Sequence, residues 1–576
     1  MAETKKSQQS KPQRSARWFE ADDMRGFAHR QRMQQIGWRR EDFIGKPVIA
    51  IVNTWSEIST CHSHLRERAA VISQAILAAG GFPLEIPALS LGEIFVKPTT
   101  MLYRNLLAME TEELVRSHPV DGAVLLGGCD KTTPGLLMGG LSVDIPVIFC
   151  PAGPMLNDRY QGQKVGAGTH TKKYWDEYQA GRIDINELTT LEQRMTRSIG
   201  TCNTMGTAST MTTIVEALGF ALPGSTVIPA ADAAHIRMCR DVGSRIVKAV
   251  QEDLRPSLIA TRSAFDNAAR VFMAIGGSTN AAIHLLALAG RAGVSYSLTD
   301  LDKIARETPV LLNLFPAGEH LMEDFFYAGG LPALLSQISD QIDLNALTIT
   351  GNSWQHHLAD VADHNIIHSP SLPVSQQPAL AVLYGNLAPN GAVIKPSAAD
   401  AALLTHRGRA LVFDSYAALK AQINDPELDV DEQTILVLRG AGPVGAPGMP
   451  EWGNLPIPKK LLEKGVRDLV RLSDARMSGT HYGTCVLHIA PESAVGGPLA
   501  WVKTGDEILL DVPNRKLELL ISDDEFAQRR DDWQAPKQPY SRGYTALYQQ
   551  HVGQADTGCD FDFLAGNAIT PEPVIY

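Results

Sequence analysis

Between about Lys46 and Ala230 the chain alternates short, almost wholly apolar runs with longer stretches of helical period. KPVIAIVNTW (from Lys46), FPLEIPAL (from Phe82), DGAVLL (from Asp121) and IPVIFCPAGP (from Ile145) read as strands. His64 to Gly81 and Thr99 to Ser117 read as helices between them. Strands covered on both faces appear as continuous apolar runs. Their alternation with helices predicts a parallel sheet with right-handed crossovers and helices on both faces. Helices then dominate to about Leu335. Two of them begin in glycine- or threonine-rich turns, TCNTMGTASTM (from Thr201) and GGSTN (from Gly276).

The pattern changes across Gly351 to Gln377, a polar stretch with several His, Ser and Pro. Beyond it come short strands and Gly/Pro turns: ALAVLYGNLAPNGAVIKPSA (from Ala379), TILVLRGAGPVGAPG (from Thr434), TCVLHIAP (from Thr484) and DEILLDVPNRKLELLIS (from Asp506). VPNRK is a hairpin signal, and the whole suggests a small barrel or sandwich. The predicted fold class is therefore an N-terminal α/β domain followed by a mainly-β, barrel-like domain. The expected division is a flexible tail over 1–26, the α/β domain over 27–360, a linker over 361–371 and the β domain over 372–576.

Composition narrows the functional classes. A content of 44% hydrophobic and 20% charged residues over 576 positions is that of an ordinary globular protein with a large core. The net charge of −11 argues against nucleic acid or an anionic membrane as a partner. No apolar run is long enough for a membrane span, and the polar N-terminus lacks the apolar core of a secretory signal. The 7 cysteines are scattered and odd in number, which argues against a disulfide framework and for a reducing cytoplasmic setting.

Chemistry gathers first in LLGGCDKTTPG (from Leu125). An apolar strand ends in Gly127-Gly128, and a soft ligand (Cys129), a hard one (Asp130) and a cation (Lys131) follow before a helix start. The carboxyl ends of strands in open α/β sheets are where ligands bind. Cys61 follows the first strand and Cys202 opens the turn TCNTMG. Three thiols drawn from distant loops suit an iron–sulfur cluster or zinc, without the paired spacing of a closed structural zinc site. Cys150, Cys239, Cys485 and Cys559 read as structural, with no partner apparent near Cys239. Glu93 and Glu451 are loop acids that, with Asp130, suit magnesium. SDARMSGTHYGT (from Ser473) presents Ser478 and Thr480 around Gly479.

The segments CDKTTPG, TCNTMGTASTM, GGSTN, GNLAPNGAVIKPSA, GPVGAPGMPE and DARMSGT together resemble the signature blocks of the dihydroxy-acid and sugar-acid (aldonate) dehydratase family. They run in the family's order, and GNLAPNGAVIKPSA, SDARMSGTHYGT and HVGQADTGCDFDFL look closest to the pentonate, L-arabinonate-type branch. The resemblance implies that Cys61, Cys129 and Cys202 hold a 2Fe–2S cluster. It implies that Glu93, Asp130, Glu451 and a carbamylated Lys131 hold Mg2+, that Ser478 is the base and that Thr480 is its neighbour in the substrate site. It also implies a homodimer or homotetramer. His62 departs from the asparagine common in the family after the first cysteine.

That reading is chemically coherent. Dehydrating a 2,3-dihydroxy acid removes a weakly acidic C2 proton and expels the C3 hydroxyl, so positive charge is needed at both ends. A serine can take the proton only if nearby cations lower its pKa. The alternatives are a branched-chain dihydroxy-acid dehydratase, a 6-phosphogluconate dehydratase, which lacks an evident added basic cluster here, and a non-catalytic iron–sulfur sensor, which leaves the acids unexplained.

Overall fold

The structure, a computed structural model, describes residues 13–179, 181–566 and 570–575. Strands β1 (Val48–Asn53), β2 (Phe82–Pro87), β3 (Gly122–Gly127) and β4 (Val147–Pro151) form one sheet in the order β2-β1-β3-β4. All three pairings are parallel, as the apolar runs predict. Every residue of β1, β3 and β4 is buried, because helices cover both faces. Met101–Ser117 packs on Thr132–Val143, and Leu65–Ala78 packs on Ala233–Gln251. A small antiparallel hairpin, β5 (Asp158–Tyr160) with β6 (Gln163–Val165), stands apart from the sheet.

The second half builds a closed barrel from β7 (Ala381–Gly385), β8 (Ala388–Ile394), β9 (Thr405–Phe413), β10 (Ile435–Leu438), β11 (Arg471–Ser473), β12 (Cys485–Ala490), β13 (Glu507–Asp511) and β14 (Lys516–Leu519). Its order is β10-β11-β12-β8-β7-β14-β13-β9, closing back onto β10 through a parallel pair. Ala381, Leu383, Ile394, Ile435, Val437, Leu472 and Val486 belong to its core. The hairpin read from VPNRK joins β13 to β14, with Arg515 in the left-handed region at φ 58°. Among the described residues no helix is long and apolar enough to cross a membrane.

Three stretches depart from the expected divisions. Of the expected tail, 1–12 lie outside the described residues, while Ala16–Phe19 is a helix whose Trp18 and Phe19 enter the main core. Ser15 donates to the buried Asp121 at 2.7 Å. In the expected linker, Ile366 and Ile367 are buried in that same core, and Ile367 bridges to Leu312. The end of the chain leaves the barrel and returns to the α/β domain. Tyr548, Val552, Cys559 and Phe561 share an apolar cluster with Met101, Leu102, Ile283 and Met449. Arg104 Nη2 donates to the carbonyls of Gly558 (2.9 Å) and Cys559 (2.8 Å), and Arg291 Nη2 donates to Asp560 Oδ1 at 3.1 Å.

The helix Thr207–Ala217 carries a buried carboxyl, Glu216, which accepts from the N–H groups of Gly224 (2.6 Å) and Thr226 (3.1 Å). Burial pushes it up to about 7, against the opposing pull of the Thr226 hydroxyl and these N–H groups. The folded state therefore holds a proton that the unfolded chain has released. Its stabilising contribution is full below the ordinary glutamate range and is lost as pH rises through about 7. Glu216→Gln should flatten the fall of the melting temperature between pH 5 and 8. A variant that follows the wild-type pH profile would refute this.

Candidate active site

The fold brings the three cysteine loops together for a topological reason. β1 and β3 are adjacent and parallel, with Asn53 opposite Leu126, so the loops carrying Cys61 and Cys129 leave from neighbouring strand ends. Beyond β4, Pro154 bridges to Thr201 and brings the Cys202 turn alongside. Gly128 lets the Cys129 turn lie flush on this extension, since a Cβ there would sit 2.5 Å from that of Ala152. The Cys61 thiol lies against that of Cys129, and this contact together with burial raises its pKa well above the ordinary thiol value. Burial, with the Asp130 and Cys129 side chains nearby, pushes Cys202 up to about 12. Protonated thiols this close bind metal only by releasing protons.

His62 sits inside this arrangement. Fully buried, it accepts from the Cys129 N–H through Nε2 at 3.1 Å, and its Nδ1 lies 3.1 Å from the Thr54 carbonyl oxygen. Burial, with His64 beside it, holds it down to about 3, so it is a neutral imidazole that pins one cysteine turn to the other. His64 bonds the Ala152 carbonyl at 2.8 Å and is held down to about 4 chiefly by burial. Cys239 is not solitary: its Sγ lies 3.9 Å from that of Cys150, both buried and in contact with Met238 or His235.

The acids converge on Lys131. Its Nζ is 3.1 Å from Glu93 Oε2, 3.3 Å from Asp130 Oδ2 and 3.2 Å from Glu451 Oε1, and its side chain is 0% exposed. Burial opposes the ammonium charge, but Glu93 and Glu451 outweigh it and raise the lysine pKa. Arg476, also fully buried, donates to Glu451 Oε1 (2.9 Å), Met449 O (2.7 Å) and Thr99 Oγ1 (3.1 Å). Burial works against the Glu451 charge, yet Lys131 and Arg476 hold its carboxyl down to about 2. Glu93 accepts from Thr99 and Thr100 hydroxyls, and burial leaves its pKa raised. Three carboxylates around one cation make an oxygen-rich site whose donor chemistry fits a divalent metal. Among the described residues no three His, Cys, Asp or Glu close into a ready coordination cage, and the lysine ammonium occupies the centre of the acids.

The barrel delivers Glu451 and Ser478 from the loops after β10 and β11, parallel neighbours whose ends face the same way. Ser478 Oγ is 3.1 Å from Thr480 Oγ1. Gly479 presses on the α/β domain: a Cβ there would meet Ser278 Oγ at 2.6 Å and the Thr207 nitrogen at 2.9 Å. Thr480 packs on Gly206 and Gly168, so the serine loop touches the turn that carries Cys202. Burial lowers the His481 pKa, with Lys172 and Arg471 adding to the effect against the pull of Glu451.

Sequence reasoning gave no role to Arg476, Asn280 or Lys395. Asn280 Nδ2 reaches Glu451 Oε1 at 3.0 Å. Lys395 Nζ donates to the carbonyls of Gly276 (2.6 Å) and Gly277 (3.2 Å), and burial alone lowers it to about 8. The signal for each was a polar residue inside a Gly-rich block.

Two adjoining family models match the chain: the N-terminal domain of dihydroxy-acid/6-phosphogluconate dehydratases over residues 46–357, and the C-terminal domain over 365–559. The chain belongs to this dehydratase family. It is 61% identical to the 6-deoxy-6-sulfo-D-gluconate dehydratase of Pseudomonas putida, over 98% of both chains. It is 50% identical to the L-arabinonate dehydratase of Rhizobium leguminosarum bv. trifolii, again over 98% of both. The dihydroxy-acid dehydratase of Thermodesulfovibrio yellowstonii is 38% identical over 89% of this chain and 94% of its own. The enzyme is thus a hydro-lyase of the sugar-acid branch, as the signature blocks imply.

Proposed function

We propose that this dehydratase converts an aldonate to the 2-keto-3-deoxy acid, with Ser478 as the base that removes the C2 proton. The observation that carries the reading is the meeting of the Lys131–Glu93–Asp130–Glu451 cluster, the three cysteine turns and the Ser478 loop at one junction of sheet and barrel. The donor sets fit Mg2+ at the carboxylates and a 2Fe–2S cluster at Cys61, Cys129 and Cys202. Bound there, the two would supply Lewis acidity toward the substrate's carboxylate and hydroxyls.

The chain's own residues do the rest. Lys131, once carbamylated, changes from a cation among three acids to a fourth oxygen donor. Arg476 helps keep Glu451 ionised, and Arg476 and Asn280 together orient it. Thr480 shares a hydrogen bond with the Ser478 hydroxyl and so directs it. The serine has no histidine or carboxylate partner among the described hydrogen bonds, so its proton must be lost through nearby positive charge.

Greater identity to the two sugar-acid dehydratases than to the dihydroxy-acid dehydratase supports an aldonate over a branched-chain substrate. A panel with keto-acid formation as readout tests this: 6-deoxy-6-sulfo-D-gluconate, L-arabinonate, D-xylonate, D-gluconate and 2,3-dihydroxyisovalerate. One of the aldonates should exceed the dihydroxy acid by at least about 10²-fold in kcat/KM, the discrimination expected when a site's polar groups are left unpaired by the wrong substrate. Preference for 2,3-dihydroxyisovalerate would overturn the assignment.

A further inference from the structure

The Gly276–Asn280 turn has no assigned part in this chemistry, yet its last residue lies at the centre of it. Asn280 is fully buried and opens the helix Asn280–Arg291. Its Nδ2 lies 3.0 Å from Glu451 Oε1, 3.1 Å from the Met477 carbonyl oxygen and 3.0 Å from Thr207 Oγ1. These acceptors come from three segments: the loop after β10, the loop after β11 and the helix that follows Cys202. Two N–H bonds serve three acceptors, so one is shared. The reversed amide would set Oδ1 against a carboxylate and a carbonyl, so electrostatics fixes the orientation.

The turn itself is held. Lys395 clamps the Gly276 and Gly277 carbonyls, and Ser278 N–H donates to Thr210 Oγ1 at 3.1 Å. Asn280 is therefore a rigid post rather than a side chain that follows its neighbours. All described hydrogen bonds to Glu451, from Lys131, Arg476 and Asn280, end on Oε1. Among the described residues that leaves Oε2 without a donor and open to a cation.

We propose that Asn280 is a positioning residue that couples the Glu451 carboxylate to the peptide carrying Ser478. Through one amide it sets which carboxylate oxygen is left for the metal, and it holds the Met477–Ser478 peptide against the α/β domain. This deepens the function proposed above and rests on it for the roles of Glu451 and Ser478.

The test uses the full-length, cluster-loaded protein and Asn280→Ala. Mn2+ binding, followed by electron paramagnetic resonance without substrate, stands in for magnesium, and kcat and KM are measured on the preferred aldonate. Loss of such an outer contact is expected to weaken Mn2+ binding and to lower kcat by about 10–100-fold each, as for other supports of metal ligands. KM should stay within about 3-fold, because the contact orients reacting groups rather than binding substrate. Iron content and the visible spectrum should not change. If Asn280→Ala does not accumulate as folded protein, Asn280→Ser carries the test, since it keeps a polar helix start but reaches neither Glu451 nor Met477. Mn2+ affinity or kcat within about 2-fold of wild type in the folded variant overturns the coupling. Because Mn2+ is read without substrate, a wild type inactive on every aldonate would sink the proposed function and still leave Asn280 measurable.

Discussion

Ser478→Ala is expected to lower turnover by about 10²–10⁴-fold, the range for losing a general base, while iron content, metal binding and melting temperature stay those of the wild type. The loss should fall on kcat, because proton removal belongs to the transition state and not to substrate binding. Thr480→Ala should be milder, since its hydroxyl only shares a hydrogen bond with the serine. The competing bases are weak on structural grounds. His64 is committed to the Ala152 carbonyl, and Lys131 is enclosed by three acids. His481 lies three residues beyond the serine and burial lowers its pKa, so it is the rival that needs direct comparison. Exchange of the C2 hydrogen with solvent, measured in both variants, separates them. Near-wild-type exchange in Ser478→Ala together with its loss in His481→Ala would give the role to histidine.

The second large effect concerns the thiols. Protein purified without oxygen should carry about two irons and two sulfides per chain, and Cys61→Ser, Cys129→Ser or Cys202→Ser should each lose them together with activity. Cys150→Ser and Cys239→Ser should keep them, although those two sulfurs face each other at 3.9 Å. The contrast is informative because serine is nearly the size of cysteine, so loss of iron reports lost ligation and not lost packing. Zinc in place of iron in the wild type, or iron retained in Cys129→Ser, would end the cluster assignment.

What could be read in the sequence follows from how local each signal is. β1, β3 and β4 are buried on both faces, so they show as unbroken apolar runs, and the chemistry sits in the turns just after them. The barrel showed through its Gly/Pro turns even where a strand is only Arg471–Ser473. Arg476, Lys395 and Asn280 stayed hidden because their partners lie far along the chain, as Met477 does from Asn280. A charge such as Arg476 also looks like a surface residue until three buried acceptors are found around it. The expected tail ended too late because Trp18 and Phe19, an apolar pair in a polar stretch, were the only sign of docking. Ile366 and Ile367 gave the same sign in the expected linker.

The returning C-terminal segment bears on how the enzyme is made. All three proposed cluster thiols leave the ribosome well before Glu451 and Ser478. Tyr548, Cys559 and Phe561, which cement Met101, Leu102 and Ile283 to Met449, emerge later still. A nascent chain thus presents its thiol pocket before the barrel exists to cover it. Translation that stops short of Phe561 would leave a chain with every proposed ligand but without this last apolar seam between its halves.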